Sequence, residues 1–377
     1  MGSIVYTDIS ESFMKFKLPQ PSFLNGLSAI QNVVSNRPTN PVLTNALITA
    51  EKGRLTLTAT DTDMTVQCTI EADVGETGAT TLPVKRLATS INTLSGGGMV
   101  EVGVDDRNIA RIRCGSFDSK MNGMPASEFP RIPTTEGGLK YTMPKDVFAD
   151  MLKKTHYAAS TDDSRPALNG VLLNLKDGKL TCVATDGRRL ALIEHEVEFP
   201  ENHNRDAILP KRAVAELIRI LSGEGELRIF LKDKQAIFEF DGTVMCCKLV
   251  EGVYPNFRQV ILSHCDHRIA IPREELLAAL SRVVPFITEK SNAMRLTFED
   301  NVLTIVASSP DVGEAMDTVT VKYSGPKITA IFNPEFMAAP LRNLTSDEIF
   351  MELNDSMSPG LIKCDLPFLY VLMPLRI

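Results

Sequence analysis

The chain has no tryptophan, only five histidines in 377 residues, and no apolar run near the ~20 residues that a membrane-spanning helix needs. Its first residues, MGSIVYTDISES, lack the basic start and apolar centre of a secretory leader. These absences predict a cytoplasmic protein with no membrane partner. The seven cysteines, at positions 68, 114, 182, 246, 247, 265 and 364, are odd in number and include no C-x-x-C pair. That argues against a disulfide framework and against a structural zinc site. His264-Cys265-Asp266-His267 has no second pair of ligands within reach in sequence and reads as a polar linker, so neither metal nor cofactor is expected. Apolar residues make up 44% and charged residues 23%, the balance of an ordinary folded domain, and the net charge of −7 alone disfavours nucleic acid.

What is present is a repeat. MKFKLPQPSFLNGLSAIQNVVS from Met14, LKYTMPKDVFADMLKKTHYAAS from Leu139 and HRIAIPREELLAALSRVVPFIT from His267 each read as an alternating strand, a proline or polar break, and a helix. The helical stripes are Phe23, Leu24, Leu27, Ile30 and Val34, then Val147, Phe148, Met151 and Leu152, then Leu276, Leu277, Leu280, Val283 and Val284. Two strands follow each helix: ALITAEKGRLTLTATD, VLLNLKDGKLTCVATD and RLTFEDNVLTIVASSP. Lys-Gly, Asp-Gly and Asp-Asn at the turns suit the positive φ of a tight hairpin. A related half then begins at TTLPVKRLATSINTL, AILPKRAVAELIRIL and AIFNPEFMAAPLRNL, with proline early in the helix. The predicted class is α+β, with three similar domains, each of two strand–helix–strands halves, at 14–137, 138–264 and 265–377. Residues 1–13 fall outside the repeat and are expected to be a disordered extension. Pro340 predicts a kink in the last helix.

Charge separates along the same division. Helical segments at 22–35, 83–94, 145–158, 210–221, 272–284 and 333–344 carry eleven basic and six acidic residues, net +5, leaving −12 on the rest. Basic helices on an acidic protein point to one face that tolerates a polyanion, through phosphates rather than base edges. None of these helices has the Arg/Asn/Gln-rich start of a recognition helix, so the expected partner is duplex DNA without sequence preference.

The repeat together with ATDGRRLA at 184–191, GVYPNFRQV at 252–260, NRPTNPVL at 36–43 and YVLMPLRI at 370–377 resembles the bacterial DNA polymerase III beta subunit family, the sliding clamps. The resemblance runs from Met14 to Ile377. It implies the DNA clamp fold and a head-to-tail homodimeric ring, with helices lining the hole and sheets outside. Geometry agrees: twelve helices spaced about 8–10 Å apart leave an opening of ~22–28 Å, wide enough for a duplex, whereas six leave under ~10 Å. The resemblance also implies that polymerase, clamp loader and repair proteins dock through short linear peptides. Their pocket would comprise Leu168, Thr185, Gly187, Arg188, Arg189, Leu190, Pro255 and Val260 with Val371, Leu372, Met373, Pro374, Leu375 and Arg376. Arg188 stands where better-known members have His, Gln259 where they have a base, and Pro359 where some have Ser. For DNA, the resemblance and the basic helices together nominate Arg37, Lys85, Arg86, Lys153, Lys154, Arg165, Lys211, Arg212, Arg219, Arg282 and Arg342. Pro166-Ala167 replace two aromatics that follow the arginine in some members. Phe286 and Ile287, after the fifth helix, are candidates for the dimer interface.

Two rivals remain. An enzyme would use Asp61, Asp63 and Asp186 as general bases or metal ligands, but these recur at turns with no histidine or nucleophile, and Gly96-Gly97-Gly98 lacks the Lys-Ser/Thr of a phosphate loop. A repeat scaffold that binds only proteins leaves the basic helices unexplained.

Overall fold

The hairpin that follows the first helix of each repeat turns on a residue pair held at positive φ, Lys52-Gly53, Asp177-Gly178 and Asp300-Asn301, and Asp241-Gly242 does the same in a later hairpin. Such pairs twist the chain the way a right-handed strand pair requires. The computed structural model describes residues 13–34, 40–94, 96–132, 138–198, 204–288 and 292–376. Among these residues are six α-helices: α1 (Gln20–Ile30), α2 (Val84–Asn92), α3 (Lys145–Thr155), α4 (Lys211–Ile220), α5 (Arg273–Val283) and α6 (Pro334–Asn343).

Proline opens α6 as expected, with Pro334 its first residue, but stands just outside the second-half helices α2 and α4. In α1, α2, α4 and α5 it is the N-cap, the residue just outside the helix, and no side chain caps the first turn. The backbone supplies the missing acceptor. Gln20 N–H donates to the Gly98 carbonyl, Lys145 N–H to Gly225 and Arg273 N–H to Asp347, at 2.9 Å in each case. Each acceptor lies one residue before the strand that follows its repeat's second helix, so the threefold pattern extends to single hydrogen bonds. The helix stripes are buried: Phe23, Leu27, Ile30, Phe148, Leu152 and Leu280 are all at 0% exposure. Burying each such side chain contributes roughly 1.5–3 kcal/mol.

Pro340 lies within α6 and has no N–H to give the Phe336 carbonyl four residues earlier. The Tyr370 hydroxyl donates to that carbonyl instead, at 2.7 Å. A carbonyl freed by proline becomes the anchor of the last strand.

The chain divides into two compact units, residues 1–145 with 223–248 and residues 146–222 with 249–377. The middle repeat contributes to both. The first unit holds a five-stranded and a nine-stranded sheet, and the second an eight-stranded and a four-stranded sheet. In the nine-stranded sheet, strand Met64–Glu71 pairs antiparallel with Thr243–Lys248, with Thr65 opposite Cys246. In the eight-stranded sheet, Arg189–Glu196 pairs with Phe368–Leu372, with Leu190 opposite Val371. Both seams join the first-half hairpin of one repeat to the last strand of the next. The equivalent strands Phe117–Asn122 and Gly313–Thr320 each lie at the edge of their sheet.

Candidate functional site

The recurring Ala-Thr-Asp proves to be a turn device. Asp61 Oδ1 accepts the N–H groups of Asp63 and Met64 at 3.1 and 2.8 Å, and Asp186 Oδ1 accepts those of Arg188 and Arg189 at 2.9 and 3.0 Å. Thr60 and Thr185 accept the amides two residues on, of Thr62 and Gly187. Side-chain oxygens that satisfy backbone donors are structural, so these aspartates are occupied in holding the loops shut.

Only the second copy adds more. Gly187 takes φ of +88°, and Arg189 turns inward, its side chain 14% exposed. The guanidinium donates to Asp186 Oδ2 at 3.1 Å and to the Tyr157 carbonyl at 2.7 Å, and it lies 4.2 Å above the Phe336 ring. Arg189 is therefore a strut linking the turn, the short 3₁₀ segment after α3, and α6. Charge on a half-buried guanidinium is favourable here because a carboxylate, a carbonyl and a ring face all meet it. The C-terminus is tied at two further points: Met373 N–H donates to the Arg188 carbonyl at 3.0 Å, and Leu375 N–H to Ile331 at 2.8 Å.

Beside this strut lies an apolar cluster. Leu168, Leu190 and Val371 are buried together with Leu172, Val183, Tyr254 and Phe257, and Val260 and Ala167 pack against them half-exposed. Four of the expected pocket residues thus converge: Leu168, Leu190, Val260 and Val371. Leu372 is buried, Thr185, Met373, Pro374 and Leu375 are half-buried, and Gly187, Arg188, Pro255 and Arg376 are exposed. Tyr254 and Phe257 were missed as anchors, although an aromatic pair in an otherwise polar loop demands burial. Asn256 Oδ1 accepts the Arg258 amide at 3.3 Å and starts the short helical turn that presents Val260. Burial pushes the Tyr254 hydroxyl well up; it donates to the Val183 carbonyl at 3.5 Å.

The basic helices are less uniform than a sequence count suggests. Lys154 is 2% exposed and ion-paired with Asp150, Lys145 is 4% exposed and paired with Asp241, and the Arg273 side chain is spent on the Ser346 and Leu341 carbonyls. Burial and pairing argue against a phosphate contact for Lys154. Arg219 pairs with the nearly buried Glu216, Arg282 with Asp317 and Arg342 with Glu335. Arg282 holds the Asp317 carboxyl below the usual carboxylate range. Lys85, Arg86, Lys153 and Arg212 are exposed, and Lys211 is half-buried. Arg37 lies outside the described residues. Arg165, expected on DNA, pairs with Asp162 and reaches the Gly187 turn: a Cβ on Gly187 would stand 3.2 Å from its Nη1.

In the first unit, an open cleft of about 610 Å³ is lined by Pro83, Lys85, Arg86, Thr89 and Ser90 of α2 and its cap, and by Lys120, Met121 and Asn122 of an edge strand. Phe286 and Ile287 are half-buried after α5. All seven cysteines are free thiols; burial pushes Cys246 up to about 11, and Cys182 and Cys247 further. Among the described residues no group of three or more His, Cys, Asp or Glu could hold a metal, and no helix is long and apolar enough to cross a membrane.

Three family models match in order: the DNA polymerase III beta subunit N-terminal domain over residues 14–133, its central domain over 142–256 and its C-terminal domain over 258–376. The chain is 33% identical to a beta sliding clamp of Chlamydia trachomatis, over 100% of this chain and 91% of that protein. It is 34% identical to one of Chlamydia pneumoniae, over 97% and 99%. Among solved structures, the sliding clamp of Bartonella birtlesii bound to griselimycin superposes with a TM-score of 0.91 at 30% identity, covering 97% of this chain and 100% of that one. The clamp of Bacillus subtilis gives 0.91 at 25% identity with the same coverage.

Proposed function

Because the chain belongs to the DNA polymerase III beta subunit family, and so is a non-catalytic DNA sliding clamp that supports processive synthesis, we propose how its own residues close the ring and hold its partners. Three clamp domains at 14–137, 138–264 and 265–377 work as one cytoplasmic homodimer, threaded by duplex DNA without regard to sequence.

The observation that carries the ring is the repeated seam. Twice within the chain, a first-half hairpin strand pairs with the last strand of the following repeat. The third such pair is split between two edges, Gly313–Thr320 and Phe117–Asn122. Unpaired edges seek partners, and a heterologous contact of this kind closes when the rotation permits. Carrying the internal registers across sets Ala315 of one copy opposite Ser119 of the other, and Glu314 opposite Lys120. Neither Glu314 nor Lys120 makes an ion pair among the described residues. The cleft beside Lys120 fits the same scheme. In the internal seam the segment after α3 places Tyr157 against Tyr370, with ring centroids 6.1 Å apart. The segment after α5, Val284–Phe286, holds the same place in its repeat, so the partner copy's Phe286 and Ile287 would enter the cleft. Lys85 and Arg86 then serve the joint as well as the DNA. Exposed Lys153 and Arg212 and half-buried Lys211 remain the helix cations for phosphate.

The charge pair gives the test. K120E and E314K should each weaken the dimer in sedimentation at low salt, and the double swap should restore it. Additive losses with no rescue would refute the register.

Docking peptides would insert apolar side chains against Leu168, Leu190, Val260 and Val371, with Met373 at the edge and Arg189 fixing the frame. The griselimycin-bound relative supports a ligand site on such a clamp.

A further inference from the structure

The solvent-facing stripe of α3 runs Asp146, Asp150, Lys153 and then His156, in the short 3₁₀ segment that continues the helix. The other described histidines, His195, His264 and His267, lie on strands or loops, so His156 alone joins the helix cations. Its ring is half-buried, and Nδ1 lies 3.1 Å from the Leu152 carbonyl, one of the last four of α3. That bond fixes a proton on Nδ1 and leaves Nε2 of the neutral ring as an acceptor. Burial first, and the charge of Lys211 at the start of α4, hold the imidazole below its usual range against the pull of the Leu152 and Lys153 carbonyls. The elements packed on this turn offer little else that is charged. Arg189 bonds the Tyr157 carbonyl and is matched by Asp186. Cys182 is a buried neutral thiol, Lys179 at the far end of its strand pairs with Glu194, and burial keeps the Tyr157 and Tyr370 phenols neutral. Asp150 is committed to Lys154, and Asp146 lies roughly 15 Å back along the helix. Among the described residues no carboxylate pairs with Lys153, His156 or Lys211, so the anion that suits this corner of the second unit comes from outside the chain.

We propose that His156 is a further phosphate contact, one that gains its charge from the DNA. Beside a backbone phosphate, Nε2 takes up a proton from solvent and donates it to a phosphate oxygen, while Nδ1 stays on the Leu152 carbonyl and Lys153, Lys211 and Arg212 meet neighbouring phosphates. A phosphate raises the proton affinity of the ring, so binding tightens as pH falls through the midpoint of the DNA-bound form and levels off below that of the free protein. The inference rests on the reading of these helix cations as the face that meets DNA.

The test follows the imidazole resonances of full-length protein with labelled histidine by NMR from about pH 8 to about pH 5.5, alone and with a short linear duplex at low salt. The resonance missing from both H156Q and H156K belongs to His156. The duplex should raise its midpoint by about half a pH unit, and wild-type affinity, read by fluorescence anisotropy, should gain roughly three- to fivefold over the same range. H156Q should lose that gain, H156K should bind at about pH 8 as tightly as the wild type does in acid, and salt near 0.5 M should erase the midpoint change. A midpoint that the duplex leaves unmoved, while K211E/R212E weakens binding, overturns the inference and leaves the helix cations in their role. A gain that survives in H156Q overturns it too. Absence of binding, or binding that K211E/R212E leaves unchanged, overturns the reading of these helices as the DNA face.

Discussion

Replacing Arg189 by methionine keeps most of the side chain's length and removes its charge. The structure gives the expected loss. The guanidinium forms one bond to the Tyr157 carbonyl and one to Asp186, and it stacks on Phe336. Hydrogen bonds of charged groups are worth about 1.5–3 kcal/mol, and a half-desolvated cation–ring contact about 1 kcal/mol. Asp186 keeps its two backbone donors and is not orphaned, and the methionine stem retains part of the packing. The net destabilisation should be about 2–4 kcal/mol, local to the second unit. Because the molecule has two compact units, a single melting curve is the wrong probe. Hydrogen exchange of amides in Arg189–Glu196 and Phe368–Leu372 should accelerate by the matching factor, while amides in the nine-stranded sheet should not change. Peptide affinity should fall in parallel, since Met373 hangs from the Arg188 carbonyl. R188Q, altering an exposed neighbour, should stay within about 0.5 kcal/mol of the wild type. Unchanged exchange in R189M would refute the strut.

Other outcomes follow from the same contacts. Deleting residues 373–377 removes the Arg188 and Ile331 ties and should abolish peptide binding in calorimetry, yet leave the dimer intact by light scattering. F286D with I287D should give monomers; an unchanged dimer would place the joint elsewhere. Reversing Lys211 and Arg212 to glutamate should weaken retention on DNA at low salt with little change in circular dichroism, because both side chains reach solvent. An alkylating reagent at pH 8 should spare Cys182, Cys246 and Cys247 in the folded protein, since burial raises these thiols and shields them.

Much of the fold was legible because local chemistry recurs three times. Lys52-Gly53, Asp177-Gly178 and Asp300-Asn301 announce their turns, and Phe23, Phe148 and Leu280 mark their helix faces. The middle repeat's share in both units was not legible, because strand partners across a seam lie far apart in sequence and share only a pleat. A count of helix charges gave Lys145, Lys154 and Arg273 the same weight as Lys153, since sequence cannot tell a buried pair from a solvated cation. Pro340 predicted a kink; its consequence, a carbonyl offered to Tyr370, needed the last strand in place. Arg189 belonged to the expected pocket, but its inward turn depends on Tyr157 and Phe336, neither adjacent to it in sequence.

A ring closed around DNA is held there by topology, which circular and linear DNA tell apart. Clamp assembled by its loader on a singly nicked circular plasmid should remain bound through gel filtration at a salt concentration that strips sequence-blind phosphate contacts. Cutting the plasmid once should then release it. Equal retention on circle and linear fragment, or loss from both at the same salt, would contradict the ring.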